Sequence, residues 1–158
     1  MSMLPALRRL LQTAAVAALI APAHAAGTGL TLTHFNPGND AIFPVSSVLV
    51  SGQHDAILID AQFGKSQAAK VVDMVRASGK KLTTIYISHG DPDFYFGLDT
   101  VLAAFPDARV VATEPTVHHI KETVNAKIGV WGPKLGADAP RWKSPDWTAR
   151  SPIAASCG

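Results

Sequence analysis

Along the chain, the spacing of apolar residues switches between two and roughly 3.6, and that alternation predicts the elements. Gly29 to His34 (G-L-T-L-T-H) alternates apolar and polar side chains, the mark of a half-buried strand, and runs into the turn-forming Asn36-Pro37-Gly38. Val45 to Val50 and Ala56 to Ile59 are apolar or β-branched runs on either side of Ser51-Gly52-Gln53-His54-Asp55, which predicts a hairpin. From Ser66 the period lengthens. Ala68, Val71, Val72 and Val75 form one helical stripe, and Gly79 is placed to end it as a C-cap. Leu82 to Ser88 is the next strand; Leu98, Val101, Leu102 and Phe105 restore the helical spacing until Pro106. Arg109 to Ala112 is a further strand, after which Thr113 can cap a helix with Pro115 near its first position and Val117, Ile120 and Val124 inward. From Gly132 to Gly158 four prolines interrupt the pattern and neither period is sustained, so no element is expected there. Three strands, then helix, strand, helix, strand and helix make an α/β fold whose site should lie beyond the carboxyl ends of strands.

Composition adds limits. With 158 residues, 47% apolar and 16% charged, and a single cysteine, the chain is neither a disordered tail nor a disulfide-stapled mini-protein. Cys157 has no partner for an internal disulfide. Arg8 and Arg9, the apolar run Leu10 to Ile20 and the small-residue pattern Ala23-His24-Ala25 have the order of a secretory signal peptide cleaved after Ala25. That run is shorter than the roughly 20 residues a bilayer span requires. The expected division is therefore a signal peptide over 1–25, a domain over 26–140 and an irregular tail over 141–158, in a periplasmic or secreted protein with no stable membrane span after cleavage. All 12 acidic residues follow the signal, which removes two of the 14 lysines and arginines. The remainder is charge-balanced and has no electrostatic footprint for nucleic acid.

Candidate chemistry concentrates in Ile87-Ser88-His89-Gly90-Asp91-Pro92-Asp93-Phe94-Tyr95-Phe96-Gly97, between a strand and a helix. His89, Asp91 and Asp93 are spaced by two and leave an extended backbone on one side. Gly90 permits a sharp turn and Pro92 keeps Asp91 out of the helical region, so the trio can curl around one point. One imidazole and two carboxylates suit zinc, manganese or iron(II). The same aspartates equally suit helix capping with no ion, and a lone loop histidine is more often hydrogen-bonded than ligating. His118 and His119 are adjacent on a helix, point about 100° apart and cannot chelate together, so one of them should face solvent. His34 and His54 have no carboxylate at ligand spacing.

The stretch from about Val45 to Pro140 resembles the N-terminal half of the metallo-β-lactamase fold superfamily, αββα metallohydrolases with the signature H-x-H-x-D-H at a strand end. The resemblance rests on the strand ending Leu58-Ile59-Asp60, the amphipathic helix, the strand Ile85-Tyr86-Ile87-Ser88 running into His89, Gly97 opening the next helix, and Trp131-Gly132-Pro133-Lys134-Leu135-Gly136. It implies half of a sandwich, a mixed sheet with helices on one face. It also implies that His89 binds a metal, that Asp93 is a ligand and the catalytic orienter of the attacking water, and that Asp60 supports the loop from behind. Capping a turn before Gly64 is an equal alternative for Asp60. Asp91 stands where the signature has its second His and can still ligate; Phe94 stands where it has the last and cannot. One divalent ion, zinc first, is therefore the implied cofactor, bound weakly. The family's later ligands have no counterpart, since no histidine follows Pro140 and Asp146 is the one acid there. The chain thus reads as a truncated or frame-shifted form.

The expected function is an exported metal-dependent hydrolase with a degenerate site, acting on a carbonyl-type small molecule of unspecified identity. The rival is a non-catalytic exported binding domain whose aspartates cap a helix and whose Trp131, Trp142 and Trp147 seek a partner. In either case an uncovered sheet face would favour self-association.

Overall fold

The structure is a computed structural model that describes residues 29–141 and the backbone of 153–155. The expected signal peptide, Trp142, Trp147 and Cys157 lie outside the described residues. One six-stranded sheet runs in chain order: β1 (Thr31–Phe35), β2 (Ser47–Ser51), β3 (Asp55–Ile59), β4 (Lys81–Ile87), β5 (Arg109–Ala112) and β6 (Ile153–Ala155). The first two pairings are antiparallel, as the predicted hairpin requires, and the remaining three are parallel. Parallel neighbours need crossovers, supplied by α1 (Lys65–Ala77), the short α2 (Pro92–Tyr95) with α3 (Leu98–Ala104), and α4 (Glu114–Leu135).

Period two assigns the faces. Leu49, Leu58, Ile85 and Val110 lie in register across four strands, all buried under the apolar stripes of the helices: Ala68, Val71 and Val75 of α1, Leu98 and Val101 of α3, and Val117, Ile120 and Val124 of α4. Each such Val, Leu or Ile side chain contributes about 1.5–3 kcal/mol by leaving water. The opposite face carries Leu32, Val50 and Ile57 in one row and Val48, Ile59, Tyr86 and Val111 in the next. Leu32 is 69% and Ile57 42% exposed, so this apolar face is poorly covered among the described residues. The architecture is the expected mixed sheet with helices on one face.

The structure corrects the reading of residues 132 onward. Helix α4 passes through Gly132 and Pro133 to Leu135, a 3-10 turn covers Gly136–Asp138, and Ile153–Ala155 adds a parallel strand. The reason for the longer helix is packing. Ile128, Trp131 and Leu135 continue the stripe of α4 onto the core, and Pro133 falls in its last turn, so the hydrogen bond it removes is followed by only two more helical residues. Trp131 is thus partly buried against the core, its ring edge-on to Phe43 and Phe63 at 5.1 and 5.4 Å. The turn beyond α4 returns to the start of α1, where Asp138 accepts from the N–H and hydroxyl of Ser66 at 2.6 and 2.9 Å. It supplies from a distance the acceptor that Gly64, at the N-cap, lacks.

Candidate functional site

The ends of β3 and β4 meet the segment His89 to Gly97. After Ile59 the chain turns through Asp60 and Gln62, both at positive φ (62° and 73°), a conformation other residues seldom adopt without support. Support comes from the loop. The Ala61 N–H donates to Phe94 O at 2.7 Å and the Gly97 N–H to Gln62 O at 2.9 Å. Gly97 is required here because a Cβ would collide with the Ala61 carbonyl and the Ala68 side chain.

This turn aims Asp60 at Ser88. Asp60 is 5% exposed, and its carboxylate accepts from the Ser88 N–H at 2.8 Å and the Ser88 hydroxyl at 2.7 Å. Burial raises its pKa from the ordinary carboxylate value, while the two bonds from Ser88 and the nearby His89 oppose that rise. Of the two roles open to Asp60, the geometry selects support of the loop over capping before Gly64. Ser88 Oγ lies 2.9 Å from His89 Nδ1. Because the hydroxyl proton is given to Asp60, Oγ can only accept from the imidazole, which places the proton of the neutral ring on Nδ1. Nε2 then carries a lone pair. The ring is also stacked on Phe94, centroids 4.5 Å apart and planes at 27°. Phe94 thus holds the imidazole by stacking on its face.

The two aspartates behave differently. Asp91 occupies the N-cap position of α2, yet its carboxylate makes no capping bond. It faces Lys127 of α4, whose Nζ is 3.3 Å from Asp91 Oδ1, 2.7 Å from Gly90 O and 3.1 Å from His119 Nε2. Asp93 is half-buried. Burial raises its pKa, and the charge of Asp91 adds to the rise, against its own backbone N–H, His89 and Lys127. His118 and His119 are both exposed; His118 lies 3.2 Å from Glu122, while His119 meets Lys127 beside the loop.

Sequence reasoning placed His89, Asp91 and Asp93 on one extended loop; the structure keeps them in one short segment but puts Asp91 at the N-cap of the single-turn helix α2 and Asp93 inside it. Among the described residues, however, no three His, Cys, Asp or Glu side chains are grouped to hold an ion. The donor types suit a divalent cation, but Asp91 is engaged by Lys127, so the trio does not fit as a closed site. Ser88, His119 and Lys127 were missed. Ser88 could have been suspected from its place beside His89; Lys127 gave no signal, being 36 residues from Asp91 and of a type usually solvated on helices.

Residues 41–148 match the family model described as the metallo-beta-lactamase superfamily. A curated relative, the uncharacterized protein YobT of Bacillus subtilis (strain 168), is 35% identical over 74 residues, which is 47% of this chain and 31% of that protein. Among solved structures, a metallo-beta-lactamase from Hirschia baltica aligns at 17% identity and a TM-score of 0.49, covering 62% of this chain and 45% of that one. FIM-1 from Pseudomonas aeruginosa, described in its mono-zinc form, aligns at 14% identity and 0.46, covering 60% and 42%. The chain spans about a third of the curated relative and less than half of either solved structure.

Proposed function

Because the chain belongs to the metallo-β-lactamase superfamily, we propose that it contributes one wall of a metal-dependent hydrolase site, with His89 the prepared ligand and Asp93 the carboxylate beside it. The observation that carries this reading is the chain of contacts Asp60–Ser88–His89, which fixes the imidazole proton on Nδ1 and leaves Nε2 for an electrophile. Metal-binding histidines are held in this way, the far nitrogen donating to an acceptor behind the ring. Three protein donors are the usual minimum for a catalytic ion, so donors beyond the described residues would be needed to close the site. A divalent ion held there would lower the pKa of water toward neutrality and steady the charge that develops on a carbonyl-type substrate. Asp93, kept partly desolvated, would hold or take a proton beside that substrate. The Arg8-Arg9, apolar and Ala-His-Ala order of the first 25 residues supports export, and hence a periplasmic or secreted place of action.

The test is binding of zinc or cobalt(II) to chelator-treated protein, measured by calorimetry for the wild type and His89→Ala. The reading predicts one weak site that the substitution abolishes; saturating ion with no heat in the wild type would contradict it. A second reading, a non-catalytic domain, is favoured by the engagement of Asp91 by Lys127. It predicts no ion uptake and unchanged folding of His89→Ala.

A further inference from the structure

Lys127 reaches the loop from the far half of α4 and is only 18% exposed, against 61% for the Asp91 side chain it meets. An ammonium group has three N–H donors, and here each has an acceptor: the Gly90 carbonyl, an Asp91 carboxylate oxygen and His119 Nε2. The approach is close. A Cβ on Gly90 would strike the His119 ring, so the glycine is what lets α4 and the loop touch. Asp91 and Asp93 repel each other, and Lys127 is the ammonium that faces Asp91 at 3.3 Å.

We infer that Lys127 is the resident cation of the His89–Asp93 loop: it clasps Asp91 and Gly90 to α4, and a divalent ion that recruits Asp91 must displace it. The clasp stands on the contacts alone; the competition rests on the metal-site reading proposed above. The lysine stem is flexible and its head strongly hydrated, so the ammonium can leave for solvent when a doubly charged ion arrives. Ion capture is thereby coupled to release of the loop from α4, and the affinity of the site is set by a residue that is not a ligand.

The test uses wild type, Lys127→Met, Asp91→Asn and the double variant. Urea unfolding in chelator reads the clasp. The expected result is that Lys127→Met destabilises the wild type more than it destabilises Asp91→Asn, whereas strictly additive effects would overturn the clasp. Calorimetric titration with cobalt(II) reads the competition. Lys127→Met should bind about tenfold more tightly than wild type, which corresponds to roughly 1.4 kcal/mol; equal or weaker binding would overturn the competition. Should neither protein take up cobalt, the metal-site reading and the competition that rests on it both fall, while non-additive unfolding still upholds Lys127 as the cation of the loop.

Discussion

Ser88 is the residue on which His89 depends. Its hydroxyl proton goes to a buried carboxylate, and hydrogen bonds to charged groups contribute about 1.5–3 kcal/mol. Ser88→Ala should therefore lower stability by that order in urea titrations, and should weaken zinc binding by about 10–100-fold, as loss of the acceptor behind a ligating histidine does. Asp60 gives a pH signature of definite sign. Its pKa is raised by folding, so the native state binds more protons than the unfolded state above the ordinary carboxylate range. Its contribution to stability is then fullest below the unfolded value of 3.8 and declines as pH rises through the folded value. The stability of wild type relative to Asp60→Asn should shrink between acid and neutral pH in metal-free buffer. Growth of that difference with pH would mean that the bonds from Ser88 outweigh burial. At this scale the sequence was only partly legible. His89, Asp91 and Asp93 could be read from their spacing, but the partner of Asp91 could not, because the contact with Lys127 is made by tertiary packing of α4.

Elements were the most legible level, since β1 to β5 and the helices α1 and α3 each carry an unbroken period. The end of α4 was not, because Gly132-Pro133 reads as a breaker while the burial of Trp131 and Leu135 keeps the helix going. Local propensity lost there to packing. The junction of α3 with the turn after β3 offers a direct test of how the elements hold the loop. Gly97→Ala places a methyl against the Ala61 carbonyl and the Ala68 side chain, so the helix must shift. A loss of about 1–3 kcal/mol is expected for such overpacking, and hydrogen exchange should speed at Ala61 and at residue 97, whose N–H groups join turn to loop. Wild-type stability in the variant would show that the close approach is dispensable.

At the scale of the molecule, among the described residues one face of the sheet carries the helices and the other is aliphatic and only partly covered. The inner face holds the core; the outer one exposes Leu32 and Ile57. Exposed apolar patches of this kind bind hydrophobic dyes and favour association. The chain should enhance the fluorescence of an anilinonaphthalene dye, and Ile57→Glu should cut that signal severalfold while leaving the inner core intact. An undiminished signal would place the dye elsewhere. The loop at the carboxyl ends of β3 and β4 also lies where α/β folds place their sites, and a concavity lined by Thr31, Gly52, His54 and Lys80 opens at the other end of those strands.

The central claim is that Asp60 and Ser88 hold His89 with its Nε2 lone pair ready for a divalent ion. Nitrogen-15 NMR of the histidine rings, in chelator and then with zinc, tests it most directly. The account predicts that His89 in the metal-free chain is protonated on Nδ1, and that zinc shifts the Nε2 resonance to the position of a ligated nitrogen. A proton on Nε2, or a spectrum that excess zinc leaves unmoved, would contradict it.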